Sequence, residues 1–231
     1  MRLRPVLAAA LAAAAVLLPA VPAHAAVHAP PGAAAHHRVG ETVSAPLSEA
    51  IASLPVAEES REGYERTKFR HWIDADRNGC NTRAEVLIAE AVQAPAIGAK
   101  CALEGGVWVS PYDDLVFTDA RLLDVDHVVP LAEAWDSGAS AWTAGEREAY
   151  ANDLGDGRSL VAVSARSNRA KADKDISEWL PPLEAYRCTY LTDWTAVKTR
   201  WGLAVDGRER EAMEHLVAGC PDETLTVTLA R

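Results

Sequence analysis

The stretch Asp124-Val125-Asp126-His127-Val128-Val129-Pro130 decides the central part of this fold. It continues the apolar pair Leu122-Leu123 into two acids and a histidine and stops at a proline, which is typical of a strand ending in a loop. Residues 159–164 predict a second short strand. From Ser167 onward the composition favours a helix, with Asn168 near its start. The predicted order is therefore strand, strand, helix.

Asp126, His127 and Asn168 carry the groups that hydrolysis of a phosphodiester requires. A divalent metal can clamp a non-bridging phosphate oxygen and stabilise the leaving oxygen. Hard cations such as Mg²⁺ or Mn²⁺ prefer oxygen ligands, and Asp126 and Asn168 supply a carboxylate and an amide oxygen. Because side chains alternate along a strand, His127 is expected on the other face, where its ordinary pKa of about 6.5 suits a general base. A carbonyl behind the ring would fix the imidazole tautomer.

The spacing of these residues resembles that of a known enzyme family. Asp-His-Val-Val-Pro, followed by a strand and Asn-x-x-Lys, is similar to the motif of HNH-family endonucleases, and the chain looks like a secreted branch of that family. The matching residues are Tyr64-Glu65-Arg66 and residues 78–87, 124–142, 151–154 and 164–171. The resemblance implies metal-dependent cleavage of DNA, with Asp126 and Asn168 as metal ligands and His127 as base.

Two positions depart from the family pattern. The last ligand position is Asn168 rather than histidine, which favours Mg²⁺ or Mn²⁺ over softer ions. The middle asparagine that braces the loop is replaced by Ser159, nine residues before Asn168. Asn152 is the candidate for this bracing role in the catalytic site. An asparagine that simply caps a helix or forms a turn is an equally good interpretation. Asp124 is either a carboxylate that supports the metal ligands or an outward-facing strand residue, and the second interpretation is favoured.

The composition limits how the chain can hold nucleic acid. Lys and Arg total 23 against 33 Asp and Glu, a net charge of −10. This charge counts against a protein that holds nucleic acid by bulk electrostatics. It is compatible with a nuclease whose basic residues are local and whose metal supplies positive charge. One local basic stretch, residues 158–174, coincides with the candidate site. Within it Arg166, Arg169 and Lys171 are predicted to contact the phosphates of DNA, with RNA as an alternative substrate and little sequence specificity.

The pattern of segments predicts an α+β fold. We expect a ββα-metal, HNH-like core at about residues 120–180, embedded in a mainly helical, disulfide-braced single domain spanning residues 46–231. Residues 1–25 have the basic start, apolar centre and Ala-His-Ala ending of a cleaved signal peptide, so a secreted protein is expected. Residues 26–45 are predicted to be a disordered lead-in. No later stretch approaches the roughly 20 apolar residues of a membrane span.

The four cysteines fit an exported protein. Cys80, Cys101, Cys188 and Cys220 are an even number without Cys-x-x-Cys spacing, which favours disulfides over a zinc site. Three pairings are possible. We favour Cys80 with Cys101 and Cys188 with Cys220, because both close local loops.

Residues 74–85 match the calcium-loop pattern D-x-[DN]-x-[DN]-G-x5-E. The ligands would be Asp74, Asp76, Asn78 and Glu85, between a helix predicted at residues 61–73 and another at residues 86–92. A polar turn that caps the next helix is the favoured alternative to a Ca²⁺ site.

A second functional class stays open from the sequence. The missing middle asparagine and the negative charge favour a non-catalytic extracellular binding module on a decayed ββα scaffold. The retained Asp126, His127, Asn168 and Lys171 favour the nuclease. Oligomeric state has no signal in the sequence.

Overall fold

The computed structural model describes residues 39–231. The predicted signal peptide and the first part of the predicted lead-in lie outside the described residues. The elements in chain order are β1 (Thr42–Pro46), α1 (Leu47–Ser53), α2 (Thr82–Ala89), β2 (Ala96–Ile97), β3 (Leu103–Glu104), β4 (Trp108–Ser110), β5 (Leu115–Phe117), β6 (Leu123–His127), α3 (Leu131–Asp136), α4 (Ala144–Ala151), β7 (Leu160–Ser164), α5 (Ala165–Lys171), α6 (Arg187–Trp201), α7 (Gly207–Val217) and β8 (Thr224–Thr228). Helices and small sheets thus mix, and the predicted α+β class is confirmed.

The strands of residues 39–231 form antiparallel pairs rather than one large sheet. β6 pairs with β7 so that Asp126 lies opposite Val161 and His127 opposite Leu160. β1 pairs with β8, which joins the two ends of the described chain. The remaining pairs are β2 with β3 and β4 with β5.

The predicted order of strand, strand and helix is present at β6, β7 and α5. The helix begins earlier than predicted, because the side chain of Ser164, not Ser167, accepts a hydrogen bond from the backbone N–H of Ser167 and caps the helix. It also ends early, at Lys171, where Ala172 takes a positive φ of 52°. α5 is therefore a seven-residue helix that follows β7 directly.

The two faces of the β6–β7 pair belong to two apolar clusters. Val161 and Val163 join the larger cluster, which includes α1, α3 and most of the aromatic residues of α6. Val125 and Ala162 join the smaller cluster, which packs on α2 and Trp108. The pair is thus buried on both sides, which explains why β7 is apolar from Leu160 to Val163.

Two disulfides close local loops. Cys80 bonds Cys101 and Cys188 bonds Cys220, so the favoured pairing is confirmed. In the part of the chain that the structure describes, no helix combines the length and apolarity needed to cross a membrane.

The prediction of a helix at residues 61–73 is wrong. The segment is irregular apart from one short 3₁₀ turn at Arg66–Lys68, and Trp72 has a positive φ of 60°. Its apolar residues do not share one face, because Phe69 packs into the larger cluster and Trp72 against the smaller one. The disorder predicted up to residue 45 is also wrong for Thr42–Ala45, which pair with β8.

Asp193 on α6 should make the stability of the fold depend on pH. Burial raises the pKa of its carboxyl from 3.8 to about 7, and the group accepts a hydrogen bond from the Tyr186 hydroxyl at 3.2 Å. Since the folded protein holds this proton more tightly than the unfolded chain does, the stabilisation is complete below about pH 4 and is lost as the pH rises to about 7.

Asp193→Asn keeps an acceptor for Tyr186 but removes the titration. In urea unfolding, its stability relative to wild type should increase by on the order of 2 kcal/mol or more between pH 4 and pH 8, since a tenfold change in a dissociation constant corresponds to about 1.4 kcal/mol. The exposed Glu214, changed to Gln, is the control and should follow wild type. Parallel curves for wild type and Asp193→Asn would contradict the assignment.

Candidate functional site

Asp126 lies in a closed, fully buried ion pair. The Lys171 ammonium donates to both carboxylate oxygens, at 2.9 and 2.7 Å, and the Tyr112 hydroxyl donates to Oδ2 at 2.7 Å. Lys171 is 0% exposed and Asp126 is 5% exposed. Burial raises the pKa of Asp126 and lowers the pKa of Lys171, and their mutual contact opposes both shifts. Lys171 therefore does not lie where a substrate phosphate could reach it, and its predicted phosphate contact is wrong.

His127 occupies an aromatic pocket on the opposite face of β6. Its ring lies 5.4 Å from the Trp72 ring and 6.4 Å from the Tyr150 ring, between centroids. Nε2 is 2.9 Å from the Ala151 carbonyl oxygen, which supplies the carbonyl partner that the sequence did not show. A carbonyl only accepts, so Nε2 carries the proton and Nδ1 keeps its lone pair. Burial lowers the pKa of His127 to about 3, well below the 6.5 expected from the sequence, so the imidazole is neutral at pH 7 and is a weaker base than expected.

Asn152 braces the loop that carries this carbonyl. Its amide oxygen accepts from the Ile73 N–H at 3.1 Å and from the Thr82 hydroxyl at 2.8 Å. Its amide nitrogen donates to the carbonyls of Arg70 and Glu148, both at 2.8 Å. These contacts tie the end of α4 to the segment before α2 and hold Ala151 behind His127.

Asn168 faces Asp124 rather than Asp126. Its amide nitrogen lies 3.1 Å from Asp124 Oδ2, on the face of β6 that α5 covers. Arg169 approaches the same oxygen at 3.9 Å, and the Asp124 side chain is 32% exposed. Arg166 and Arg169 are exposed on α5, as a predicted phosphate contact must be. The expectation that Asp124 simply faces solvent is therefore corrected: it is half-buried against α5.

The candidate calcium loop is held together by its own hydrogen bonds. The Asn78 amide nitrogen donates to Asp76 at 2.8 Å and to Glu85 at 3.1 Å, and Asp74 accepts from the Gly79 N–H at 3.0 Å. Among residues 39–231, the groups of three carboxylates whose oxygens lie within 4.8 Å of one another do not include residues of this loop. The calcium site stays a prediction, and the helix predicted before it is absent.

Two groups of carboxylates in the described chain lie close enough to hold a cation. Glu59 lies with Glu133 and Glu209 in one group and with Asp175 and Asp206 in the other. The first group surrounds the buried Lys198, whose ammonium donates to Glu133 at 2.6 Å and to Glu209 at 2.8 Å. Burial and the neighbouring carboxylates raise the pKa of Glu59 to about 8. The Lys198 ammonium and the proton retained by Glu59 therefore balance much of the negative charge of this group.

Sequence patterns did not identify several residues around the site. Tyr112 binds Asp126, and Trp72 and Tyr150 flank His127, while the His71 ring lies 6.5 Å from the His127 ring. In the sequence, His71 and Trp72 lie just before the candidate calcium loop, which overlaps a stretch that matches the family. An aromatic pair at this position was the signal that could have identified these two residues. No pattern marked Tyr112.

Replacement of Asn152 should weaken the fold around His127. Asn152→Ala removes four hydrogen bonds and leaves partly buried backbone groups unpaired, so we expect a loss of about 1–3 kcal/mol in urea unfolding. Asn168→Ala removes one contact and should cost no more than about 1 kcal/mol. Equal losses for the two variants would show that Asn152 does not brace the loop.

The family model of the C-terminal domain of GmrSD restriction endonucleases matches residues 99–216. A protein of Arthroderma benhamiae, named an uncharacterized secreted protein, is 42% identical over 160 residues, which are 69% of this chain and 77% of that protein. Comparison with solved structures gave no match. Because the family model spans half of the chain and covers Asp126, His127 and Asn168, this protein belongs to the HNH-type nuclease family of the GmrSD restriction endonuclease C-terminal domain.

Proposed function

We propose that this protein is a secreted, metal-dependent endonuclease that hydrolyses phosphodiester bonds of DNA with little sequence specificity. RNA is the alternative substrate. Membership of a restriction endonuclease family supports nucleic acid cleavage. The observation that carries the proposal is the neutral His127, whose tautomer is set by the Ala151 carbonyl. We further propose that β6, β7 and α5 are the ββα-metal unit of the family.

His127 acts as the general base in this proposal. With the proton on Nε2, its Nδ1 can take a proton from the attacking water. In the described chain no protein group is hydrogen-bonded to Nδ1, so its lone pair is not already used in a hydrogen bond. Asn152 has a positioning role, because it holds the backbone that carries the Ala151 carbonyl.

The face between β6 and α5 fits a divalent metal. Asn168 supplies an amide oxygen, and the acidic residues of β6 supply carboxylate oxygens, which are the ligands that Mg²⁺ and Mn²⁺ prefer. When bound, the metal would polarise the phosphate and stabilise the leaving oxygen. The family resemblance assigns Asp126 as the strand ligand. Lys171 contacts the Asp126 carboxylate, so a metal bound by Asp126 would have to replace that contact.

Exposed arginines would hold the substrate beside the metal. Arg166 and Arg169 lie on α5, next to Asn168, where they can contact phosphates without reading bases. These arginines supply positive charge locally, at the site, although the chain as a whole has a net charge of −10. Secretion is supported by the two disulfides, the apolar start of the sequence and the name of the Arthroderma benhamiae relative.

One observation favours the alternative, a non-catalytic extracellular binding module. His127 is only 6% exposed, so little of its ring is accessible to water. An active nuclease needs the attacking water to reach Nδ1 of this ring. Absence of cleavage with every divalent metal would support the binding module.

Plasmid nicking tests the proposal directly. Purified protein with intact disulfides should nick plasmid DNA with Mg²⁺ or Mn²⁺, and EDTA should abolish the reaction. Because general-base catalysis contributes about 10²–10⁴-fold, His127→Ala should lower the rate by that factor while the fold stays intact by circular dichroism. His215→Ala, an exposed histidine on α7, is the matched control and should cleave like wild type. Cleavage that survives EDTA or His127→Ala would overturn the mechanism.

A further inference from the structure

We infer that Glu59, Asp175 and Asp206 form a structural Ca²⁺ site that joins three separate segments of the chain. One oxygen of each carboxylate lies within 4.8 Å of an oxygen of the other two. Two oxygens that bind the same Ca²⁺ at 2.3–2.6 Å lie at most about 5 Å apart, so this spacing is close to the one that a single ion requires. The inference does not depend on the proposed nuclease activity.

The backbone around Val205 brings Glu59 and Asp206 together. The Ala57 N–H donates to the Val205 carbonyl at 3.0 Å, and the Val205 N–H donates to the Pro55 carbonyl at 2.9 Å. These bonds form a short parallel bridge between the segment after α1 and the segment before α7. Glu59 and Asp206 follow this bridge by two residues and one residue, which places their carboxylates side by side.

Asp175 and Asp206 are held in position by caps that use one oxygen of each. Asp206 Oδ1 accepts from the Glu209 N–H at 2.7 Å and caps α7. Asp175 Oδ1 accepts from the Glu178 N–H at 2.9 Å, in the turn that follows α5. Within the described chain, Asp175 Oδ2 accepts no hydrogen bond, and Asp206 Oδ2 meets only the exposed Arg208, at 3.5 Å. One oxygen of each residue is therefore left for an ion.

Glu59 supplies a carboxylate without a direct partner. Its side chain is half-buried, and its Oε1 is fully buried and accepts no hydrogen bond from the residues that the structure describes. Burial and the charges of Glu133 and Asp206 raise the pKa of Glu59 to about 8. A cation at this position would neutralise the carboxylate in place of the proton.

The Tyr190 hydroxyl is a second unpaired polar group in this region. Tyr190 is 1% exposed, and its hydroxyl has no hydrogen-bond partner among residues 39–231. Burial raises the pKa of Tyr190, followed by the charges of Asp126 and Asp175. Buried polar groups without a partner are rare in native proteins, and a bound ion is one of the few explanations for them. Two such groups, at Glu59 and near Asp175, favour an ion at this cluster.

The neighbouring group of Glu59, Glu133 and Glu209 is a poorer choice for an ion. The Lys198 ammonium already occupies the position of a cation there, at 2.6 Å from Glu133 and 2.8 Å from Glu209. A second cation beside this ammonium would be repelled. The group with Asp175 and Asp206 has no such internal ammonium in the described chain, so a cation bound there meets carboxylates alone.

Ca²⁺ is the cation that fits these three carboxylates best. It accepts six to eight oxygens in irregular geometry, whereas Mg²⁺ requires a nearly ideal octahedron whose ligands lie at most about 4 Å apart. Extracellular Ca²⁺ sites act with dissociation constants of about 10⁻⁴–10⁻³ M, and the two disulfides fit that compartment. The ion would tie the segment after α1 to the turn after α5 and to the start of α7.

Calorimetric titration with CaCl₂ tests the inference on the protein with intact disulfides, at pH 8.5, above the pKa of Glu59. Loss of even an outer-shell partner of a metal costs about 10–100-fold in affinity, so Glu59→Gln and Asp206→Asn should each weaken this Ca²⁺ site by at least about tenfold. Both substitutions keep the shape of the side chain, and Asn at position 206 can still cap α7, so both variants should unfold cooperatively in urea with EDTA. Glu58→Gln, at the exposed neighbouring residue, is the matched control and should bind Ca²⁺ like wild type.

Asp76→Asn separates this site from the candidate calcium loop at residues 74–85. Asp76→Asn should retain one Ca²⁺ site, and adding Glu59→Gln to it should remove that site. Absence of binding at millimolar Ca²⁺, wild-type affinity in both Glu59→Gln and Asp206→Asn, or loss of all binding in Asp76→Asn would overturn the inference. Since plasmid nicking has no part in this measurement, failure of the proposed nuclease would leave the Ca²⁺ site standing.

Discussion

The buried contact between Lys171 and Asp126 fixes how α5 lies on β6. A helix of seven residues is not stable by itself, and α5 is held by its serine cap, by the hydrogen bonds of Ser164 and Ser167 to Asp113 and by its contacts with the strand. Three hydrogen bonds from one ammonium anchor the last turn beneath the strand. Removing one partner of such a pair costs about 3–5 kcal/mol. Asn168, one turn earlier, is consequently held opposite Asp124.

The alternation of side chains along β6 separates two chemical environments. Asp124 and Asp126 face α5, whereas His127 faces the pocket of Trp72 and Tyr150. His127 is neutral because it is buried, and Asp126 is neutralised by Lys171, so Asp124 is the side chain of the strand that leaves negative charge near solvent. Arginines on α5 beside it supply local positive charge to a chain that is acidic as a whole. This arrangement places the partly exposed carboxylate of Asp124 beside the exposed side chains of Arg166 and Arg169.

The sequence predicted those features that depend on local pattern. The β6–β7–α5 order follows from short apolar runs and a serine cap, and both disulfides follow from loop closure. It missed features that depend on distant partners. Lys171 was interpreted as a phosphate contact because a lysine on a short polar helix is usually solvated, and the Tyr112 and Asp126 contacts that bury it come from elements far away in sequence. The segment at residues 61–73 was predicted as one helix, since its apolar spacing does not reveal that its side chains serve two separate clusters.

The most direct test of this account is a crystal structure of the protein with bound Mn²⁺, located by its anomalous scattering. We expect the ion on the face of β6 that α5 covers, bound by Asn168 with oxygen distances of about 2.0–2.4 Å. An ion bound elsewhere, or no ion on that face at saturating Mn²⁺, would contradict the proposed metal site.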